Sequence, residues 1–178
     1  HHLEGGRLQK ISTNRGELPA SCLILAIGHS ARDTFSMLME KGVFLEPKAF
    51  SVGARIEHRQ KDIDKALYGA QAGNPQLPVG EYQLSYREGG RGVYTFCMCP
   101  GGVVVPAASE ENRVVTNGMS EYARSSGTAN AAVVVSVDSS DYGNHPLKAI
   151  AFQRDLESAA FAAGGGGYKA PLQTVGDF

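Results

Sequence analysis

The chain has 178 residues with 17 basic and 18 acidic side chains, a formal net charge of −1 and a 42% hydrophobic content. That length suits one large domain, or one domain and part of a neighbour. The balanced charge excludes the basic footprint of a nucleic-acid or acidic-membrane binder. No apolar run reaches the ~20 residues that span a bilayer, and no basic-then-apolar leader precedes a small-residue cleavage site. Three cysteines, Cys22, Cys97 and Cys99, are an odd number and too sparse for a secreted disulfide scaffold. A soluble, cytoplasmic protein is therefore expected. The opening His1-His2 is either native or the remnant of an expression tag and carries no weight for the fold.

Leu8 to Thr13 and the segment from Leu18 read as a hairpin, with turn formers Asn14, Arg15 and Gly16 between them. The run Cys22-Leu23-Ile24-Leu25-Ala26-Ile27 is apolar throughout, the pattern of a strand covered on both faces. It ends at Gly28, after which Ser30 reads as a helix N-cap with Asp33 three residues on. Ala31, Phe35, Leu38 and Met39 recur at helical spacing, and Gly42 is the stop.

Phe50, Val52, Ala54 and Ile56 alternate with polar residues over a half-buried strand, and a short helix is expected over 61–68. Gln71 to Gly80 reads as a surface loop. Strands are then expected at Tyr82 to Tyr86, Val93 to Cys99, Val103 to Ala107, Val114 to Thr116 and Ala131 to Val137, with short connections that favour antiparallel pairing. The last helix opens at Pro146 and closes at Gly164, with Ala149, Phe152, Leu156, Ala159 and Ala163 as its apolar face.

Two places could carry chemistry. A buried strand turning through Gly28 into a helix near Ser30 presents backbone amides and a helix N-terminus to a phosphate, although many such turns hold no ligand. Neither GxGxxG in its strand-helix context nor GxxxxGK[ST] occurs, so the chain has no complete nucleotide cradle. The second place is Phe96-Cys97-Met98-Cys99-Pro100-Gly101-Gly102. Regular alternation would put both thiols on one face beside a glycine turn, and the competing reading is inert packing by buried cysteine. No metal-ligand spacing joins the cysteines and histidines. His29 sits beside the glycine turn, whereas His58 at a strand end and His145 at a helix cap read as structural. Arg55 points away from its apolar neighbours, toward an anionic ligand or water. No hydrolytic triad can be assembled from spacing.

Leu25-Ala26-Ile27-Gly28-His29-Ser30-Ala31-Arg32-Asp33-Thr34 resembles a signature of the FAD-dependent, NAD(FAD)-utilising dehydrogenases. Phe50 to His58, Tyr94 to Gly102 through Val115 to Ser120, and Tyr168-Lys169-Ala170-Pro171 with Gly176-Asp177-Phe178 resemble the same family in the same order. The resemblance implies an internal region of a longer flavoprotein. Residues 1–45 would be a partial FAD-binding-domain segment, 46–163 an inserted domain covering the flavin and shaping the substrate pocket, and 164–178 the return linker. Leu23 to Gly28 looks like a strand that ends in Ala-Thr-Gly in such enzymes; here Ala26-Ile27-Gly28 lacks the threonine hydroxyl.

The expected fold is α+β, a mainly antiparallel sheet packed by a long C-terminal helix and preceded by a remnant of the FAD domain. The implied cofactor is FAD, bound in the parent and not retained by these 178 residues alone, with room for NAD(P). Gly28, His29, Ser30, Gly101 and Gly102 are the cofactor-contact candidates, and Cys97 and Cys99 the catalytic candidates. The implied partners are a small-molecule substrate and the remainder of the flavoprotein chain. The alternative is a non-catalytic scaffold or protein-interaction domain whose glycine loops are only turns.

Overall fold

The structure, a computed structural model, describes residues 2–177 and divides into two compact units, His1–Arg32 and Asp33–Phe178. The first unit is a three-stranded antiparallel sheet of β1 (His2–Glu4), β2 (Arg7–Thr13) and β3 (Gly16–Pro19), in that order. Thr13 pairs with Gly16, so Asn14 and Arg15 form a two-residue turn, as their composition predicts.

Cys22 to Ile27 departs from expectation. It is irregular rather than a strand, and Leu23, Ile24, Leu25 and Ile27 are 48%, 85%, 51% and 40% exposed. A strand exists only where a neighbour accepts and donates its backbone hydrogen bonds. No strand among the described residues pairs with this run.

The helix α1 (Arg32–Glu40) starts two residues after Ser30. It closes in a Schellman motif, with Val43 N donating to Leu38 O and Gly42 N to Met39 O. The centre of the second unit is a four-stranded antiparallel sheet of β4 (Phe50–Arg59), β5 (Ser85–Glu88), β6 (Arg91–Cys99) and β9 (Thr128–Val137), ordered β4-β9-β6-β5. β5 and β6 are joined through Gly89 and Gly90, both with positive φ, as a two-residue hairpin turn requires. Tyr82 to Leu84, expected within this strand, lie ahead of it. A second antiparallel pair, β7 (Gly102–Ala107) and β8 (Val115–Ser120), completes the strands.

Three helices follow from local signals. α2 (Gln60–Tyr68) continues directly from β4. α3 (Ser139–Tyr142) is opened by a capping box in which Asp138 and Asp141 reciprocally accept backbone N–H groups. α4 (Pro146–Ala163) has Pro146 at its first turn and His145 Nδ1 accepting from Leu147 N at 3.3 Å. It ends in another Schellman motif, Gly166 N to Phe161 O and Gly165 N to Ala162 O. This arrangement is the expected α+β fold with antiparallel sheets and a long C-terminal helix.

The core sits on β9, where Ala129 and Ala131 are fully buried and Val137 nearly so. Phe50, Tyr142 and Phe152 form an aromatic cluster, with ring centroids 5.4 to 6.3 Å apart, that ties β4 to α3 and α4. The predicted apolar face of α4 is rotated relative to what is buried. Leu156 is 45% exposed, while Glu157 is buried and Arg154 makes a bidentate bond to Glu110 at 2.7 and 2.9 Å. The Ser109–Val114 loop explains this: Glu110 takes Arg154, and Val114 N donates to Glu157 O at 3.1 Å. Polar docking, rather than hydrophobic periodicity, selects the inward face.

Candidate functional site

In the first unit, Gly28, His29 and Ser30 form an exposed turn. Gly28 has φ +75°, and a β-carbon added there would meet nothing within 4 Å, so its backbone is open to approach. His29 Nε2 lies 3.3 Å from Ser30 Oγ.

In the second unit the chemistry-bearing residues collect where β6 ends. Phe96 pairs with Ala132 and Cys99 with Asn130, so three steps along β6 match two along β9. The extra residue is a β-bulge, and Cys97 within it takes φ +48°. The bulge corrects the expectation that Cys97 and Cys99 share a face by simple alternation. Register instead puts Cys99 on the face of Phe96, Asn130 and Ala132, which β4 continues with Glu57 and Arg55.

Arg55 holds the bulge from β4. Its Nη1 donates to Cys97 O at 3.2 Å and to Asn130 Oδ1 by a short bond. It therefore faces neither free anion nor open water; the guanidinium spans the sheet and fastens the backbone beneath Cys97. Asn130 is fully buried, and its Nδ2 has no partner among the described residues. Gly118 on β8 makes the convergence feasible, because a β-carbon there would lie 2.4 Å from both Arg55 Nη1 and Asn130 Oδ1 and 2.6 Å from Cys99 Sγ. Any side chain at 118 would displace the cluster.

The hairpin of β7 and β8 is fastened over this face by Val104 N to Glu57 Oε2 at 3.1 Å and by Thr128 Oγ1 to Gly102 O at 2.8 Å. Cys97 is an exposed free thiol; Cys99 is partly buried and donates weakly to Cys97 O at 3.5 Å.

The Pro100-Gly101-Gly102 turn is set by packing. Gly101 has φ +57°, and a β-carbon there would fall 1.8 Å from Arg124 O. Gly101 N donates to Gln60 Oε1 at 2.8 Å. Gln60 is itself buried, and its Nε2 donates to Gly80 O and Asp64 Oδ1, both at 2.9 Å. Gly102 packs against Met119 O. Both glycines are thus required by the protein's own backbone. His58, read from sequence as structural, bonds Tyr82 Oη through Nε2 at 2.7 Å. Among the described residues no three of His, Cys, Asp and Glu gather as a metal site, and no helix is long and apolar enough to cross a membrane.

Sequence reasoning missed Asn130, Gly118 and Gln60. The one available signal for Asn130 is a lone amide in the Ala129-Asn130-Ala131-Ala132 stretch.

Residues 49–178 match the family described as FAD-dependent protein, C-terminal domain-like. An uncharacterized protein of Clostridium beijerinckii (strain ATCC 51743 / NCIMB 8052) is 51% identical over 176 residues, which are 97% of this chain and 33% of that protein. The chain thus spans about a third of the length of the curated relative it matches. With that match covering both sheets of the second unit and α4, the chain belongs to the FAD-dependent protein family, as a C-terminal-domain-like region of it.

Proposed function

We propose that the parent protein is an FAD-dependent oxidoreductase of dehydrogenase type, and that residues 46–163 are an inserted domain that covers the flavin and shapes the substrate pocket. The observation that carries this reading is the family match over residues 49–178. The exposed apolar run before Gly28 supports it. Leu23 to Ile27 have the composition of a sheet-buried strand and no partner here, which suits pairing with parent segments outside these residues.

Residues 1–45 then belong to the FAD-binding domain and 164–178 return to it. Gly28, His29 and Ser30 offer open backbone for the cofactor's phosphates, while Gly101 and Gly102 act on the flavin side through the shape of their turn. Bound flavin supplies the electron transfer, with NAD(P) a candidate second cofactor, and the protein supplies orientation and electrostatics. Cys97 is the exposed thiol at this end of the domain and Cys99 its partly buried neighbour, so Cys97 is the stronger candidate for contact with substrate. The protein is read as cytoplasmic, with a small-molecule substrate.

The test is the absorbance spectrum of the purified parent beside that of the 178-residue chain. A flavin band in the parent, and none in the shorter chain, is the expected pair of results. A colourless parent would favour a scaffold or interaction domain. Serine replacement of each cysteine in the parent, with flavin occupancy and thermal midpoint recorded, then separates chemistry from packing. Lost turnover at retained occupancy and midpoint assigns the thiol to the reaction.

A further inference from the structure

The four-stranded sheet has two faces of different chemistry, fixed by its register. Arg55, Glu57, Asn130, Tyr94, Ser85 and Arg87 stand on one, which the β7–β8 hairpin covers in part, at Val104 and Gly118. The other face is apolar. Val52, Val135, Val93 and Tyr86 pair in a row across all four strands, and in the rows beside it Ala54 pairs with Val133 and Ile56 with Ala131.

The two ends of the apolar face are packed. Tyr142 and Phe152 close on Phe50 at one end, and Tyr82 bonds His58 at the other. Between them Val52, Val93, Val133 and Val135 are half-buried, Ala54 is exposed, Ile56 is 40% exposed and Tyr86 65%. A sheet face of this composition gains its full stabilisation once another element lies across it. No charged side chain interrupts these rows, so the surface that suits them is apolar.

We propose that this face docks against the remainder of the parent chain, the part outside these 178 residues, through an apolar surface of that part. Length and tethering choose this occupant over a second copy. The matched residues are 33% of the relative's length, so most of a parent of that size lies outside them. A partner on the same chain is present at an effective concentration on the order of mM, above that of a second molecule in solution. Leu23 to Ile27 are apolar, exposed and unpaired as well, so this face is not alone in suiting such a partner.

The inference rests on the reading of these residues as part of a longer flavoprotein, and it names the face by which the domain meets the rest. Its test compares thiol labelling in the full-length parent and in the 178-residue chain, with each labelled cysteine identified by peptide mass spectrometry. Ala54→Cys and Tyr86→Cys place a thiol on the apolar face, and Ser85→Cys places one on the opposite face, one residue from Tyr86. The first two should react with maleimide at least about tenfold more slowly in the parent than in the shorter chain. Ser85→Cys should react at the same rate in both. All three positions are exposed, so the variants keep the fold.

Equal rates in the two proteins overturn the inference. Protection of Ser85→Cys to the same degree as the other two overturns the choice of face. Protection that fades on dilution of the parent gives the face to a second copy and overturns the choice of occupant. The flavin band is read on the same parent samples. A yellow parent with unprotected thiols sinks the docked face and leaves the flavoprotein reading standing; a colourless parent with protected thiols does the reverse.

Discussion

Ala131 to Val137 and Cys22 to Ile27 are nearly equal in apolar content, and they end in opposite conditions. The first lies in β9, paired along both edges, with Ala131 fully buried and Val137 6% exposed. The second is irregular, with Ile24 85% exposed. Hydrophobicity alone does not make a strand. It lowers the free energy only once neighbours take the backbone hydrogen bonds and cover the side chains, and β9 has β4 and β6 for that while Cys22 to Ile27 has none here.

The strongest way to break the contrast is to put a charge into each run. Ala131→Asp should cost more than about 4 kcal/mol, enough to unfold the second unit, because a buried carboxylate would have no partner. Ile24→Asp should shift stability by less than about 0.5 kcal/mol in the 178-residue chain, as exposed substitutions do. The same Ile24→Asp change in the full-length parent should cost several-fold more if the run is a covered strand there. Urea midpoints on both proteins decide it, and equal midpoints for the two Ile24 proteins would leave the run exposed in the parent as well.

A smaller effect sharpens what the pairing of β9 supports. Arg55→Met removes the donor to Asn130 Oδ1 and to Cys97 O, leaving a fully buried amide with neither end paired. The expected loss is about 1–3 kcal/mol. A thermal midpoint within error of wild type would mean that the bulge holds its shape without Arg55.

The smallest effect belongs to the surface next to the end of β9. Arg91 bonds Asp141 in bidentate fashion and, with Asp138 N, holds its carboxyl down from 3.8 to about 2. A depressed folded-state pKa means a contribution present in full above about pH 4 and lost as pH falls toward 2. Asp141→Asn should therefore lower the midpoint at neutral pH, and the difference from wild type should vanish near pH 2. A difference that persists undiminished at that pH would assign the effect to lost packing.

How far the fold could be read beforehand depends on which residues mark it. α4 was legible because Pro146 opens it and Gly164 closes it, and α1 because Gly42 stands where the Schellman turn needs it. β4 and β9 show apolar alternation or an apolar run with partners to match. The inward face of α4 was not legible, since Glu110 and Arg154 are 44 residues apart and their bond overrides the periodicity of Leu156 and Ala159. The strand β8 runs to Ser120 through Asn117 and Gly118, residues with little preference for strands.

At the candidate site, the two thiols and Arg55 could be singled out by residue type. Their mutual geometry could not, because the bulge at Cys97 sits on a non-glycine residue with nothing in the local sequence to announce it. Asn130 and Gln60 act through partners far along the chain, 75 residues to Arg55 and 41 to Gly101. Contacts at that separation leave no periodic trace.

The extra residue in β6 also bears on how this region can change over evolutionary time. A loop such as Gln71 to Gly80 can gain or lose a residue and re-close with little penalty. In β6 the count makes the bulge. Deleting Met98 would set two steps of β6 against two of β9 and leave Cys99 opposite Asn130, but it would remove the bulge whose Cys97 carbonyl accepts from Arg55. Length in Phe96 to Cys99 should therefore be held fixed across homologous chains even where the side chains vary, and single-residue insertions should accumulate on the far side of Gly80.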